Sequence, residues 1–258
     1  MRLQLLSDLH LESEAFEPEP APGAEALVLA GDIDSTWRAF ERFAGWPVPV
    51  WFVAGNHEFD GRELDKAWPA LREALAHHGI RLIEREAFVA TGDDGRRIRF
   101  VGTIRWSDFD GLGAARRERA MRAAAHFQAV MGATQGGRPF DAEAVRAEAL
   151  RCRGWLEATL ATAPQGAWDA TCVITHFAPS LRSADARFGR QPGTASFCND
   201  DDDLIPRADI WLHGHVHCRH DYLVGRAGRA PARVVCQARG LPRKGEAAGL
   251  DPLAIFTI

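Results

Sequence analysis

The sequence predicts a mixed α/β fold. Three observations carry that prediction. Short, uniformly apolar runs closed by glycine or a polar residue recur along the 258 residues. Segments with helical spacing alternate with them. Hydrophobic residues make up 46% of the chain, ample for a sizeable core. Uniform runs of about four to eight residues suit strands buried on both faces, as in sheets covered by helices.

Leu3–Leu6 opens the chain as an apolar strand ending at Ser7-Asp8. Residues 14–25, rich in Pro and Glu, form a loop, and Ala26–Ala30 is a second strand delivering Gly31-Asp32. Ser35 or Thr36 can cap a short helix through about Ala44. Val48–Val53 is then a third strand stopping at Gly55, which completes a strand-helix-strand rhythm. Leu64, Trp68, Leu71 and Leu75 mark a helix over 62–78, with Gly79 as its stop and Ile80–Ile83 as the next strand. Phe88–Thr91 and Ile98–Thr103 flank Gly92-Asp93-Asp94-Gly95, the composition of a hairpin turn.

The stretch 113–131, rich in Ala and Arg, reads as helical. After the Gly-Gly-Arg-Pro break at 136–139, Asp141 can cap a second helix reaching about Thr162. These helices, about 113–162, are the part of an otherwise single domain over 1–258 that can form a helical insertion or partial lid. Thr171–Thr175, Ile210–Leu212, Arg233–Gln237 and Leu253–Ile258 supply the closing strands.

A formal charge of −4 and a pI of about 6.2 argue against general binding to nucleic acid or anionic membrane, which calls for a basic surplus. The five cysteines are odd in number and contain no C-x-x-C, so neither a disulfide framework nor a structural zinc site is indicated. No stretch approaches the roughly 18 apolar residues of a membrane span. The chain starts directly on a strand, without the basic start and long apolar run of a signal peptide, and a cytoplasmic location is expected. The sequence carries no signal of oligomeric state.

Polar motifs stand where apolar strands give way to loops: Asp8-Leu9-His10, Gly31-Asp32, Gly55-Asn56-His57-Glu58, Thr175-His176 and Gly214-His215-Val216-His217. D-x-H alone is weak, expected by chance about 0.7 times at this composition, whereas G-N-H is expected about 0.007 times and G-H-x-H about 0.04 times. Carboxylate, amide and imidazole ligands brought together from separate strand ends can hold two divalent metals, a site for hydrolysis. Residues two apart on an extended strand share a face, so Asp8 with His10, and His215 with His217, are expected to aim paired ligands together. Glycines at 31, 55 and 214 allow close backbone approach beside them.

The motifs, in this order over positions 8 to 217, resemble those of the calcineurin-like metallophosphoesterase family. That resemblance implies a central β-sandwich of two mixed sheets flanked by helices. It implies one metal held by Asp8, His10, Asp32 and His217, a second by Asp32, Asn56, His176 and His215, and His57 as a non-ligand catalytic residue. The implied activity is hydrolysis of a phosphate mono- or diester, of a small molecule or nucleotide, by a hydroxide bridging the metals. Mn is favoured by the resemblance, and Fe, Zn, Co or Ni also suit the mixed ligands. A nuclease of the same superfamily and a non-catalytic scaffold are the alternatives. The phosphate-binding arginines that protein phosphatases of the superfamily carry beside the second and third motifs are missing: Ala54 precedes Gly55, and Ser35 follows Asp34. Asp34 is the candidate partner for His57.

Other residues have plainer expectations. Asn56 and His57 can contact substrate, and Arg239 and Arg243 have about equal claims to phosphate contact and to none. His213 is expected in the core or behind the ligands, and His77, His78, His126 and His220 at the surface. The acidic run Asp200–Asp203 reads as a solvated helix start. Arg116, Arg117, Arg119 and Arg122 read more readily as a wet helix face than as a phosphate-facing lid. Trp106 can line a pocket.

Overall fold

Four layers stack as helix, sheet, sheet, helix in the computed structural model, which describes residues 1–163 and 166–258. In chain order the elements are β1 (Arg2–Leu6), β2 (Ala26–Leu29), β3 (Val50–Phe52), α1 (Leu64–His77), β4 (Ile80–Leu82), β5 (Glu86–Thr91), β6 (Arg97–Thr103), α2 (Arg117–Met131), β7 (Thr134–Gln135), β8 (Arg138–Pro139), α3 (Ala142–Ala161), β9 (Ala170–Thr175), β10 (Ile210–His213), β11 (Arg219–Arg226), β12 (Arg229–Gln237) and β13 (Ile255–Thr257). One sheet has the order β13-β1-β2-β3-β4 and the other β11-β12-β10-β9-β6-β5. The central strands of both run parallel, while β13, β5 and β11 pair antiparallel at the edges.

The layering explains the uniform apolar runs. Along β2, Ala26 and Val28 face the second sheet in a core shared with Leu5, Phe100, Ile174 and Leu212. Leu27 and Leu29 point the other way and pack with Phe52, Leu71 and Leu75 beneath α1. On the outer face of the second sheet, Val101, Val173 and Trp211 meet Leu156 and Leu160 of α3. Central strands are therefore dry on both faces, and alternation with polar residues disappears.

The α1 helix, the β5–β6 hairpin and the closing strands lie where the sequence places them, with ends shifted by a few residues. Asp141 caps α3 as expected, accepting from the backbone N–H groups of Glu143 (3.1 Å) and Ala144 (3.0 Å). The cap expected from Ser35 or Thr36 does not form. The segment Arg38–Phe43 is a 3-10 turn, and the Asp34 carboxylate instead accepts from Thr36 N (2.8 Å) and Ala39 N (2.6 Å). An aspartate bonding to its own following backbone outcompetes the weaker hydroxyl. The strand β11 has no counterpart in the sequence reading, because its side chains are half-buried or exposed and no apolar face announces it.

The acidic run is also corrected. Asp201 is fully buried, and the Arg105 guanidinium donates to both of its carboxylate oxygens at 2.9 and 2.8 Å. Arg105 also donates to Asp108 at 2.7 Å, and Arg153 of α3 reaches Asp201 and Asp203. Asp110 then joins Arg146 of α3 (3.1 Å) to Arg117 at the start of α2 (2.6 Å). A chain of charge pairs thus ties both α2 and α3 to the end of β6. Burial raises the Asp108 pKa, but the Arg105 guanidinium outweighs it and holds the carboxyl below the usual range. Its stabilising share is present above the ordinary carboxylate pKa and is lost as pH falls through the lower folded value. Removing one partner leaves Arg105 under-compensated inside the protein. Asp201→Ala is expected to lose about 3–5 kcal/mol of unfolding free energy in urea denaturation; a loss below ~1 kcal/mol would show the network to be dispensable.

Candidate metal centre

The carboxyl ends of the parallel strands in both sheets open towards one place, where ligands gather in open α/β sheets. Asp8 and His10 follow β1, Asp32 follows β2, Asn56 and His57 follow β3, His176 follows β9, and His215 and His217 follow β10. Backbone bonds stitch these ends together. Asp8 N donates to Gly31 O (2.9 Å), Gly214 N to His176 O (3.0 Å), and Ser7 bridges to Ala238 of the other sheet.

The expected strand alternation is not how the paired ligands are aimed. β1 stops at Leu6 and β10 at His213, and Asp8, His10, Asp32, His215 and His217 all adopt left-handed backbone conformations, with φ between 48° and 72°. Such conformations are uncommon for residues other than glycine and cluster at functional sites. The glycines leave room for side chains from other strands. A Cβ on Gly31 would lie 2.2 Å from His176 Nδ1, and one on Gly55 would lie 2.2 Å from Asp32 Oδ1.

Two donor sets result. Single ligand atoms of Asp8, His10, Asp32 and His217 lie within 4.8 Å of one another, as do those of Asp32, His176 and His215. Asn56 Oδ1 joins the second set, 3.2 Å from His176 Nε2. Nearby acceptors assign the imidazole protons. His10 Nδ1 faces Glu12 (3.2 Å), His217 Nδ1 faces Glu246 (2.7 Å), and His176 Nδ1 faces the carbonyl of Ala30 (2.8 Å). Each Nδ1–H donates outward, so Nε2 is the nitrogen aimed inward.

The inward atoms crowd together; burial lowers the His176 pKa, but the Asp32 carboxylate prevails and raises it to about 9. His10 Nε2 and His217 Nε2 stand 3.0 Å apart, and His176 Nε2 lies 3.3 Å from Asp32 Oδ2 and 3.1 Å from His215 Nδ1. Imidazole nitrogens and carboxylates converging this closely are the ligand types that divalent cations take in place of protons. The residues fit two metal ions, and Asp32 belongs to both sets.

Glu58 braces this arrangement. Fully buried, it accepts backbone N–H groups from Asp32 (3.0 Å), Ile33 (2.8 Å), Asp34 (3.4 Å) and Gly55 (2.6 Å). Burial and the Asp32 charge push its pKa up to about 7, while those backbone donors pull it down. His57 stands beside the first set, its ring centroid 5.2 Å from that of His10. Its Nδ1 faces Asp60 Oδ2 at 2.8 Å, and its N–H donates to Asp32 Oδ1 at 2.9 Å. Burial alone lowers the His57 pKa, but the Asp32 and Asp60 carboxylates prevail and raise it to about 10.

Asp60, not Asp34, therefore partners His57, since the Asp34 carboxylate is occupied by the turn that follows it. Glu58 was legible in the third motif beside His57, whereas Asp60, two residues beyond that motif, had only its closeness to His57. Glu12 had only its closeness to His10, and Glu246 had no local signal. Arg239 does not reach the cavity over the site: its guanidinium is buried and donates to the carbonyls of Leu9 and Ala15, both at 3.0 Å. His213 is buried behind the ligands, with Nε2 2.9 Å from Ser183 Oγ. His220, expected at the surface, is half-buried with Nε2 3.2 Å from Cys218 Sγ.

A cavity of about 760 Å³ opens over the centre. Its lining includes His10, Asp32, Asn56, His57, His215 and His217, together with Trp106, as the sequence suggested. Phe127, Gln128, Val130 and Met131 of α2 contribute to the wall, whereas Arg116, Arg117, Arg119 and Arg122 do not.

Two sheets sandwiched between helices, with acidic and imidazole ligands at their strand ends, define a metal-dependent phosphoesterase. The chain belongs to the calcineurin-like phosphoesterase family, which residues 1–219 match. No curated protein matches it. Among solved structures it is similar to the phosphopantetheinyl hydrolase PptH from Mycobacterium tuberculosis, at 18% identity and a TM-score of 0.69, covering 97% of this chain and 93% of that one. It also matches a dimetal phosphatase from Danio rerio at 11% identity and a TM-score of 0.40, covering 91% and 86%. No described helix is long and apolar enough to cross a membrane.

The close approach at Gly55 makes a direct prediction. Gly55→Ala displaces Asp32 from both donor sets, so elemental analysis after dialysis should find less than half the bound metal of the parent protein. Full occupancy would show that the Asp32 carboxylate tolerates the shift.

Proposed function

We propose that the protein hydrolyses a phosphate mono- or diester of a small molecule or nucleotide at a two-metal centre. One metal is assigned to Asp8, His10, Asp32 and His217, and the other to Asp32, Asn56, His176 and His215. The observation that carries this reading is the pair of Asp and His ligand sets sharing Asp32 at the floor of an open cavity. Bound there, two divalent cations supply a water of lowered pKa and positive charge for the phosphoryl oxygens. Mn is favoured by family likeness, with Fe, Zn, Co and Ni also compatible with the ligands.

The chain's own residues complete the reaction. Asp32 separates and orients the two sets. Asn56 adds a neutral oxygen ligand beside the phosphoryl position. His57, its Nδ1–H committed to Asp60, keeps Nε2 for the substrate. Its imidazolium stabilised by the negative charge of Asp32 and Asp60, it binds a phosphoryl oxygen or gives its proton to the leaving oxygen. Asp60 acts through His57 as a positioning residue. By its name, the phosphopantetheinyl hydrolase of related fold acts on a phosphopantetheinyl group. An ester of that kind lies within the proposed class.

His57→Ala should retain both metals by elemental analysis yet lose about 10²–10⁴-fold in kcat on an aryl phosphate; unchanged turnover would remove His57 from the chemistry. Asp60→Asn withdraws one of the charges that raise the His57 pKa. The proton is then lost at lower pH, so the alkaline limb of the rate profile should move down by about 1 pH unit or more. An unmoved limb would separate Asp60 from the titration of His57.

A further inference from the structure

The floor and the wall of the cavity differ in chemistry. The metal-binding and catalytic side chains gather at the floor. One side of the wall is built from Phe109, Phe127, Val130, Met131, Phe188 and Phe197, while Arg187, Gln191, Arg243 and Lys244 line the cavity elsewhere. This apolar surface continues to the ligands themselves. The His215 ring packs against Phe177 (centroids 4.0 Å apart) and Phe197 (5.1 Å), and Phe197 meets Phe127 of α2 at 5.2 Å. Seven large hydrophobic side chains are exposed among the described residues, and three of them, Phe127, Val130 and Phe188, border this one cavity. Apolar side chains left to water beside a reactive centre mark a binding surface.

Volume points the same way. About 760 Å³ falls within the range of sites that enclose a whole organic ligand, far more than a phosphoryl group occupies. A phosphoryl group on the floor leaves the rest of that space to its ester substituent. The α2 face offers that substituent one polar side chain, Gln128, against Phe127, Val130 and Met131. A sugar and base laid against this face would lose hydrogen bonds to water with only Gln128 to replace them.

Resting on the phosphoesterase reading above, we propose that this wall is a leaving-group subsite selecting phosphate esters with an apolar substituent of several carbons, in preference to nucleotides. Phe127 and Val130 determine the specificity. Each methylene laid on the wall adds about fourfold to affinity, from ~0.8 kcal/mol per buried CH₂. The gain ends when the wall is covered.

The test uses the Mn-loaded protein and non-hydrolysable n-alkyl phosphonates from methyl to octyl, with binding read by calorimetry. The matching alkyl phosphates and a nucleoside monophosphate are assayed for kcat/KM. Affinity should climb about fourfold per methylene over the first several members. The double variant Phe127→Ser/Val130→Ser, both positions being exposed, should flatten that slope, while Leu223→Ser on β11 should leave it intact. Chain-independent binding, a nucleotide preferred over the octyl ester, or an unaltered slope in the double variant would each overturn the subsite while phosphoesterase activity stood. If no phosphonate binds and no ester turns over, the phosphoesterase reading itself fails and takes the subsite with it.

Discussion

Glu58 is the fastening on which the centre depends. One buried carboxylate collects four backbone N–H groups from the loops after β2 and β3, and so sets the distance between Asp32 and the Asn56-His57 pair. An isolated carboxylate at that depth would be costly, but one satisfied by several N–H donors can stay in place. The left-handed backbone at five ligand positions costs about 1–3 kcal/mol each and persists where surrounding structure over-determines it. Here Glu58, the inter-loop ladder and Asp8 accepting the N–H of His215 supply that determination. The fold itself thus holds these carboxylates and imidazoles close together.

Acceptors behind the imidazoles complete the preorganisation. Glu12, Glu246 and the Ala30 carbonyl each take an outward Nδ1–H, so three imidazoles present the same nitrogen inward. His215 is turned the other way, with Nδ1 towards His176 and its ring between two phenylalanines. That ring joins the metal floor to the apolar wall. The helices α2 and α3 belong to the same design: the Arg105 network pins both to the sheet, and α2 adds Phe127, Val130 and Met131 to the cavity wall.

Much of this was legible in the chain because buried parallel strands write themselves as uninterrupted apolar runs. The loop residues after them then stand out as polar motifs. What was misjudged had a different physical origin. Asp34 looked like a catalytic partner but is consumed by its own turn, and Asp60, three residues beyond His57, takes that place. Asp201 looked solvated within an acidic run, and only the arrival of Arg105, 96 residues away in sequence, explains its burial. Arg239 offered a free guanidinium on paper, and the fold uses it to hold the carbonyls of Leu9 and Ala15.

The sequence by itself determined the α/β class, the order of the buried strands and the identities of the polar residues at their ends. Each depends on local pattern and composition. Tertiary structure alone decided which nitrogen every imidazole turns inward, which carboxylate stands behind it, and that an apolar helix face borders the site. Those outcomes depend on groups separated by tens to hundreds of residues, as with His217 and Glu246 or His10 and His217, and no local spacing encodes the distance between them.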